Sequence, residues 1–347
     1  MTADVHAERA ATSRRPGLAA LRGRNNEGVL AGVILLLLLV MLVVEPSALT
    51  WGFAGDIIRS GLVTLALALG LLLIIISGGM DVSFTAIAVF SGYATVRLMT
   101  DLGIDGRVWP FLLAAAIGCA LGSLNAVLVA RYRMETLIAS LGTQVIIRGF
   151  LLAFVGSTYL ATLPPQLDSV GTTTIFRLGS SPVNIVVVPV ALACVALALI
   201  LRRTMFGRGV YAVGGDKESA RRVGFHVARV QTGIYLLAGL FAGFAGMVHV
   251  VLSRHASPFD LVGMELNVIA AVVIGGALDR GGRGSVHGTV LGVLLVSLVQ
   301  NSLVRLGISS YWHVLVIGLV ILVGVAIQAR SNARGAKRPR ILEEVTP

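Results

Sequence analysis

Residues 59–77 read RSGLVTLALALGLLLIIIS, and residues 78–83 read GGMDVS. As a helix, the first stretch spans about 28 Å at 1.5 Å per residue, close to the hydrocarbon thickness of a bilayer. The second places two glycines, a carboxylate and a hydroxyl directly after it, and a new apolar run then opens at Val82. No water is present at membrane depth to hydrogen-bond free backbone groups, so such a break survives only where it is buried in protein or lines a cavity. The pattern therefore predicts an all-α polytopic membrane protein with interrupted spans.

The rest of the chain agrees. Of 347 residues, 56% are hydrophobic and 13% charged, and the mean hydropathy is +0.89, which excludes a soluble enzyme. Runs of span length fall at 28–46, 59–77, 82–99, 109–130, 134–156, 183–202, 231–252, 264–278, 285–305 and 311–328. That gives about ten transmembrane helices. The run 264–278 is short and 82–99 begins straight after a Gly-Gly break, so either can be a half-helix and the range is 8–10. Five Arg precede the apolar run Val29 to Val44, but no small-x-small cleavage site follows, so this run reads as a first span and not a signal peptide.

With the N-terminus inside, nearly all loop Arg and Lys fall on the cytoplasmic side, whereas Arg59, Arg107, Arg177 and Arg254 fall outside. The net charge of +11 is thus explained by topology, and nucleic-acid binding is set aside. The expected organisation is a cytoplasmic tail 1–27, a permease domain 28–328 carrying one long inner loop 203–230, and a cytoplasmic tail 329–347. Both termini lie inside a multi-pass cell-membrane protein. Spans 2–5 and 7–10 form two four-span groups that would be related by inverted topology, as in many transporters. The pairs Gly78-Gly79 and Gly275-Gly276 do not fall at equivalent places in the two groups, which counts against a simple repeat.

Catalytic chemistry has no seat. Both lysines, Lys217 and Lys337, lack the following Ser or Thr of a Walker A loop, and there is no HExxH or Gly-x-Ser-x-Gly. Cys119 and Cys194 lie inside apolar runs and suit helix packing, not a metal site or a disulfide framework. No cofactor or metal is expected. Of the ionisable residues near the membrane, Asp81, Arg97, Glu135, Arg148, His249, Glu265, Asp279, His287 and Arg305, most fall near the ends of the marked spans, and no carboxylate falls in mid-span. A carrier driven by an ion gradient keeps a carboxylate in mid-span, so this distribution argues against an ion-coupled secondary transporter of a neutral solute, the rival reading.

Two sets of residues are singled out. Asn125, Thr143, Gln144 and Asn267 sit in or at the ends of spans and can hydrogen-bond a hydroxylated solute or, equally, a neighbouring helix. In the inner loop, Gly214-Gly215-Asp216 reads as a turn ending at a helix N-cap. Lys217 to Val223 then reads as a short amphipathic helix stopped by Gly224, shaped as a docking element. Forty-one Gly, including Gly118/Gly122, Gly239/Gly243 and Gly288/Gly292, suit close helix approach. The outer stretch 157–182 is polar enough to meet water or a partner.

Several stretches together resemble the membrane permease subunits of ribose-type ABC importers. Ser77-Gly78-Gly79-Met80-Asp81-Val82-Ser83 looks like the family's signature after its second span, and Asn125 with Leu137 to Thr143 is similar to its fourth-to-fifth span segment. Tyr211 to Asp216, with Glu218-Ser219-Ala220-Arg221 and Gly224, looks like its coupling loop. Ser257-Pro258 through Glu265-Leu266-Asn267, Ile269 to Gly275-Gly276, Gly281 to Ser285 and Gly288-Thr289 is the most specific stretch. The resemblance runs from about residue 60 to 328 and implies a type II-like ABC importer permease. That permease would carry a simple sugar or related polyol across the membrane, powered by a separate ATPase subunit that binds ATP. An extracytoplasmic sugar-binding protein would feed it, and a second permease copy, identical or not, would complete the pathway. Asp216, Glu218, Ser219, Ala220, Arg221 and Gly224 are then the ATPase-coupling residues, Gly78, Gly79, Asp81, Ser83, Gly275 and Gly276 the signature turns. Phe84-Thr85, Met134-Glu135 and Asn267 depart from the family's usual residues and bear on which sugar is carried. Branched-chain amino-acid permeases are more distant relatives.

Overall fold

A computed structural model describes residues 27–44, 50–277 and 281–306, together with Trp312, Leu315, Gly318 and Leu319. Most of the expected tenth span at 311–328 and of both tails lies outside the described residues. Two long helices, α2 and α10 below, form the centre. α1 (Glu27–Val44) leads to α2 (Trp51–Ile76), which starts earlier than the apolar run suggested because Thr50 caps it, its hydroxyl accepting from the Phe53 N–H. α3 (Phe84–Leu102) follows the Gly-Gly break, then α4 (Trp109–Ala126), which runs on through a π-helical turn at Val127–Arg131, and α5 (Thr136–Phe150), extended likewise by Leu151–Val155.

The polar stretch 157–182 is more structured than its composition suggested. It holds the short helix α6 (Pro165–Thr172) and most of an antiparallel hairpin of β1 (Thr174–Leu178) and β2 (Ser181–Asn184), so the all-α expectation is corrected by one small sheet. Gly179, at φ +59°, turns the hairpin. Asn184 ties it to α6 by donating to the carbonyls of Val170 and Gly171.

α7 (Val187–Arg203) and α8 (Met205–Gly215) meet at a bend of 75°, where the Thr204 hydroxyl accepts from Gly207 N–H and starts the new helix. α9 (Lys217–Arg222) comes next, then α10 (Val227–Ser253), α11 (Met264–Ile274) and α12 (Val286–Arg305). The stretch 203–230 is thus helical for most of its length. Gly214 and Gly215 end a helix instead of forming the expected turn, because α8 extends to the cap at Asp216.

Among the described residues five helices are long and apolar enough to cross a membrane, or six if the bent α7–α8 pair is one span, and apolar α1 and α11 are shorter. α2 and α10 are each 72% buried over their most apolar windows, against 28% for α5, so they are the interior of the bundle. The packing is reciprocal: α3 and α4 lie on α10, while α11 and α12 lie on α2. Apolar side chains gain little by leaving lipid for protein, so close contact has to come from small residues that let backbones approach. Gly118 and Gly122 of α4 face Gly239 and Gly243 of α10, and a Cβ added at Gly118 would collide with the Gly239 carbonyl oxygen. Gly288 and Gly292 of α12 meet Gly275 and Ala271 of α11 in the same way.

Candidate functional site

The GGMDVS break begins where α2 ends. Gly78 takes a left-handed φ of +79°, and the N–H groups of Gly78 and Gly79 turn back to the carbonyls of Ile75 and Ile74. Two of the next N–H groups are met by α5: Met80 N–H donates to the Thr136 hydroxyl at 2.9 Å and Val82 N–H to the Ser140 hydroxyl at 3.3 Å. Asp81, 2% exposed, accepts at one oxygen from Ser83 N–H (2.6 Å) and Ser83 Oγ (2.7 Å). From α4, Asn125 donates to Ser83 Oγ at 2.7 Å and to the other Asp81 oxygen at 3.4 Å. The Asn125 carbonyl oxygen in turn accepts from the Thr143 hydroxyl of α5 at 2.7 Å. Asp81, Ser83, Asn125 and Thr143 are all buried, so in this structure the last two direct their bonds to the break and its neighbouring helices. Tyr235 Oη on α10 is the only buried side-chain polar atom without a hydrogen-bond partner among the described residues.

One turn further along α5, a second cluster centres on Glu265 in the first turn of α11. Its Oε1 accepts from Thr85 Oγ1 at 2.6 Å, Gln144 Nε2 at 3.1 Å and Arg148 Nη2 at 3.0 Å. Gln144 and Arg148 are the ninth and thirteenth of the 20 residues in the span Thr136–Val155. The sequence placed Glu265 at the start of a short run; the fold sets it against Arg148, so their ion pair lies beside the middle of a span. Reading each run separately could not find a pair 117 positions apart. Asn267 is half-buried, two positions beyond Glu265 and so on another face of α11, and makes no hydrogen bond among the described residues.

The opposite end of α2 from Thr50 is a junction of glycines. Gly282 N–H donates to the Ile76 carbonyl at 2.8 Å, and a Cβ on Gly214 would collide with that same oxygen. Gly281, at φ +79°, packs on Gly78 and Gly214, and Tyr211 donates to the Gly284 carbonyl at 2.9 Å. α8, the first break and the loop before α12 therefore share one backbone contact. Gly275 and Gly276 end α11 much as Gly78 and Gly79 follow α2: the N–H groups of Gly276 (φ +91°) and Ala277 return to the Val273 and Val272 carbonyls.

α9 stands just beyond this junction. Asp216 caps it, accepting from the N–H groups of Glu218 (3.2 Å) and Ser219 (3.0 Å) and from the Ser219 hydroxyl. That hydroxyl, followed by the two backbone donors, holds the Asp216 carboxyl below its ordinary range. Gly224, at φ +94°, ends the helix, with its own N–H and that of Phe225 returning to the Arg221 and Ala220 carbonyls. Lys217, Glu218, Ser219, Arg221, Arg222 and Val223 are exposed, while Ala220 faces inward and is buried. At the far end of the molecule a polar cavity of about 480 Å³ opens between α2, α10 and α12, its wall including Asp56, Ser60, His249, Ser253 and Asn301.

A polytopic helical chain with a polar seam through it, glycine breaks beside that seam and a capped helix exposed at one end is a membrane permease. The chain belongs to the family described as branched-chain amino acid transport system / permease component, whose model matches residues 53–325. It is 33% identical to the ribose import permease protein RbsC of Bacillus subtilis over 86% of this chain and 92% of that one. It is 29% identical to the galactose/methyl galactoside import permease protein MglC of Haemophilus influenzae, over 87% and 94% respectively. To the L-arabinose ABC transporter permease protein AraH of Azospirillum brasilense it is 30% identical, over 97% and 100%. No solved structure matches. The family is a transport component, not an enzyme.

Proposed function

We propose that this chain is the permease subunit of an ABC importer and forms the pathway by which a simple sugar or related polyol crosses the cytoplasmic membrane. The observation that carries this reading is the likeness along most of the chain to permeases named for ribose, galactose and arabinose, with Gln144 a half-buried neutral amide at the edge of the buried polar seam. The family's description names branched-chain amino acids. Such a substrate needs opposite charges for its ammonium and carboxylate, which Arg148 and Glu265 would supply, so the choice of a sugar rests on the relatives named for ribose, galactose and arabinose.

ATP is hydrolysed by a partner ATPase, onto which α9 docks through Lys217, Glu218, Arg221, Arg222 and Val223, with Asp216, Ser219, Ala220 and Gly224 shaping the helix. Closure of that partner would push α9, and through α8 the glycine junction at Ile76, so moving both breaks together. A sugar-binding protein delivers substrate at the opposite end, where the polar cavity opens, and a second permease copy completes the pathway. Gln144 and Asn267, half-buried, line the path, whereas Asn125 and Thr143 hold the break. Ten spans with both termini cytoplasmic, in a domain 28–328 flanked by tails 1–27 and 329–347, complete the topology. The reciprocal packing of α3 and α4 on α10 and of α11 and α12 on α2 supports two inverted groups of four spans.

Reconstitution tests the reading. Labelled D-ribose, D-galactose and L-arabinose are offered to vesicles holding the permease, its ATPase and its binding protein. Import of one of them only with ATP and both partners is the expected result; import driven by an ion gradient without the ATPase would overturn it.

A further inference from the structure

We infer that the mid-span pair Arg148–Glu265 is a hydroxyl-binding station in the translocation path, a role that rests on the transport reading above but concerns residues outside it. Glu265 receives three donors, and all three go to Oε1; Oε2 has no partner among the described residues. Arg148 gives one N–H to Glu265 and leaves its other guanidinium N–H groups without partners there. The side chains are 26% and 12% exposed for Arg148 and Glu265 respectively, so the pair lies partly at the surface of the chain at the middle of a span.

A half-satisfied ion pair facing lipid at that depth is costly, since unsatisfied polar groups find no partner in hydrocarbon. Facing a water-filled path it has partners and no such penalty. The chemistry left over, one carboxylate oxygen and several N–H donors side by side, matches adjacent sugar hydroxyls, each of which donates one hydrogen bond and accepts another. Gln144, one helical turn before Arg148, belongs to the same face. Exposed Leu141 and Val145 on α5 and Leu266 on α11 border it, giving the apolar walls that a ring's carbon face would meet.

The experiment uses the complete complex in vesicles. In a Cys119→Ala/Cys194→Ala background, Gln144→Cys is offered a membrane-impermeant cationic thiol reagent, with and without ATP trapping of the ATPase. Modification whose rate changes about tenfold between the two states is expected. No modification in either state, or a spontaneous disulfide between two permease copies in both, would overturn the inference. The Arg148→Gln/Glu265→Gln double variant leaves no charge unpaired and should still assemble. It is expected to be recovered with its ATPase at the level of the unmodified complex while import of the labelled sugars falls at least tenfold. Import at the unmodified rate in this variant would also overturn the inference. If the reagent result holds while the unmodified complex imports none of the sugars, the path assignment stands and the sugar reading fails.

Discussion

Asp81 has no water to turn to, and its carboxylate is held by donors from its own break and from α4. Removing it would orphan the Ser83 N–H and hydroxyl and part of the Asn125 amide, at roughly 1–3 kcal/mol for each buried group left unsatisfied. Asp81→Ala should therefore lower the melting temperature in detergent sharply, and Asp81→Asn, which keeps an acceptor, should lower it less. Equal loss in both would mean that the charge, not hydrogen bonding, holds the break. Tyr235 is the converse case: its buried hydroxyl has no partner among the described residues, so Tyr235→Phe should leave stability unchanged or raise it by up to about 1 kcal/mol. A clear drop in thermal stability would reveal a partner for that hydroxyl in the working protein.

At the scale of elements, the α4–α10 contact depends on having no side chain at Gly118. Gly118→Val must push the helices apart or fail to pack, and the expected result is loss of folded protein by size-exclusion chromatography, with Gly142→Val, where a Cβ meets open space, as the tolerated control. In α9 burial sorts the docking residues. Ala220 is 2% exposed, so a Glu there would disturb the packing of α9 on its own chain and would not test docking. Val223, 74% exposed at the end of the helix, is the better probe. Val223→Asp should leave the permease folded but reduce co-purification of the ATPase severalfold; unchanged recovery would place the docking surface elsewhere.

For the whole molecule, one end carries the glycine junction and α9, and the other carries the hairpin, α6 and the loop after α10. The latter end is clamped by Arg254 on Asp168 at 2.7 Å, and the Arg254 hydrogen bond holds the Asp168 carboxyl below its ordinary value of 3.8. A carboxyl depressed in the folded state contributes its stabilisation fully above the unfolded value and loses it as pH falls through the folded one. Proteolysis of the 157–182 stretch should thus be unchanged from pH 8 to about 5 and accelerate only below about 4. Acceleration already near pH 6 would show that another group controls this end.

The membrane class and the place of the five or six long apolar helices among the described residues follow from the sequence alone, because an apolar run of span length has few alternatives and each is a local property. The caps were legible for the same reason: Asp216 and Gly224 act within one turn of their own positions. Asn125 and Thr143 were visible as polar intramembrane residues, but whether they faced solute or helix depended on α4 and α5 lying beside the break, which only the packing decides. Arg148 and Glu265 show the limit most clearly. Glu265 stood at the start of its own short run and Arg148 within another, and only tertiary structure, by setting the half-length α11 against α5, made them one mid-span pair.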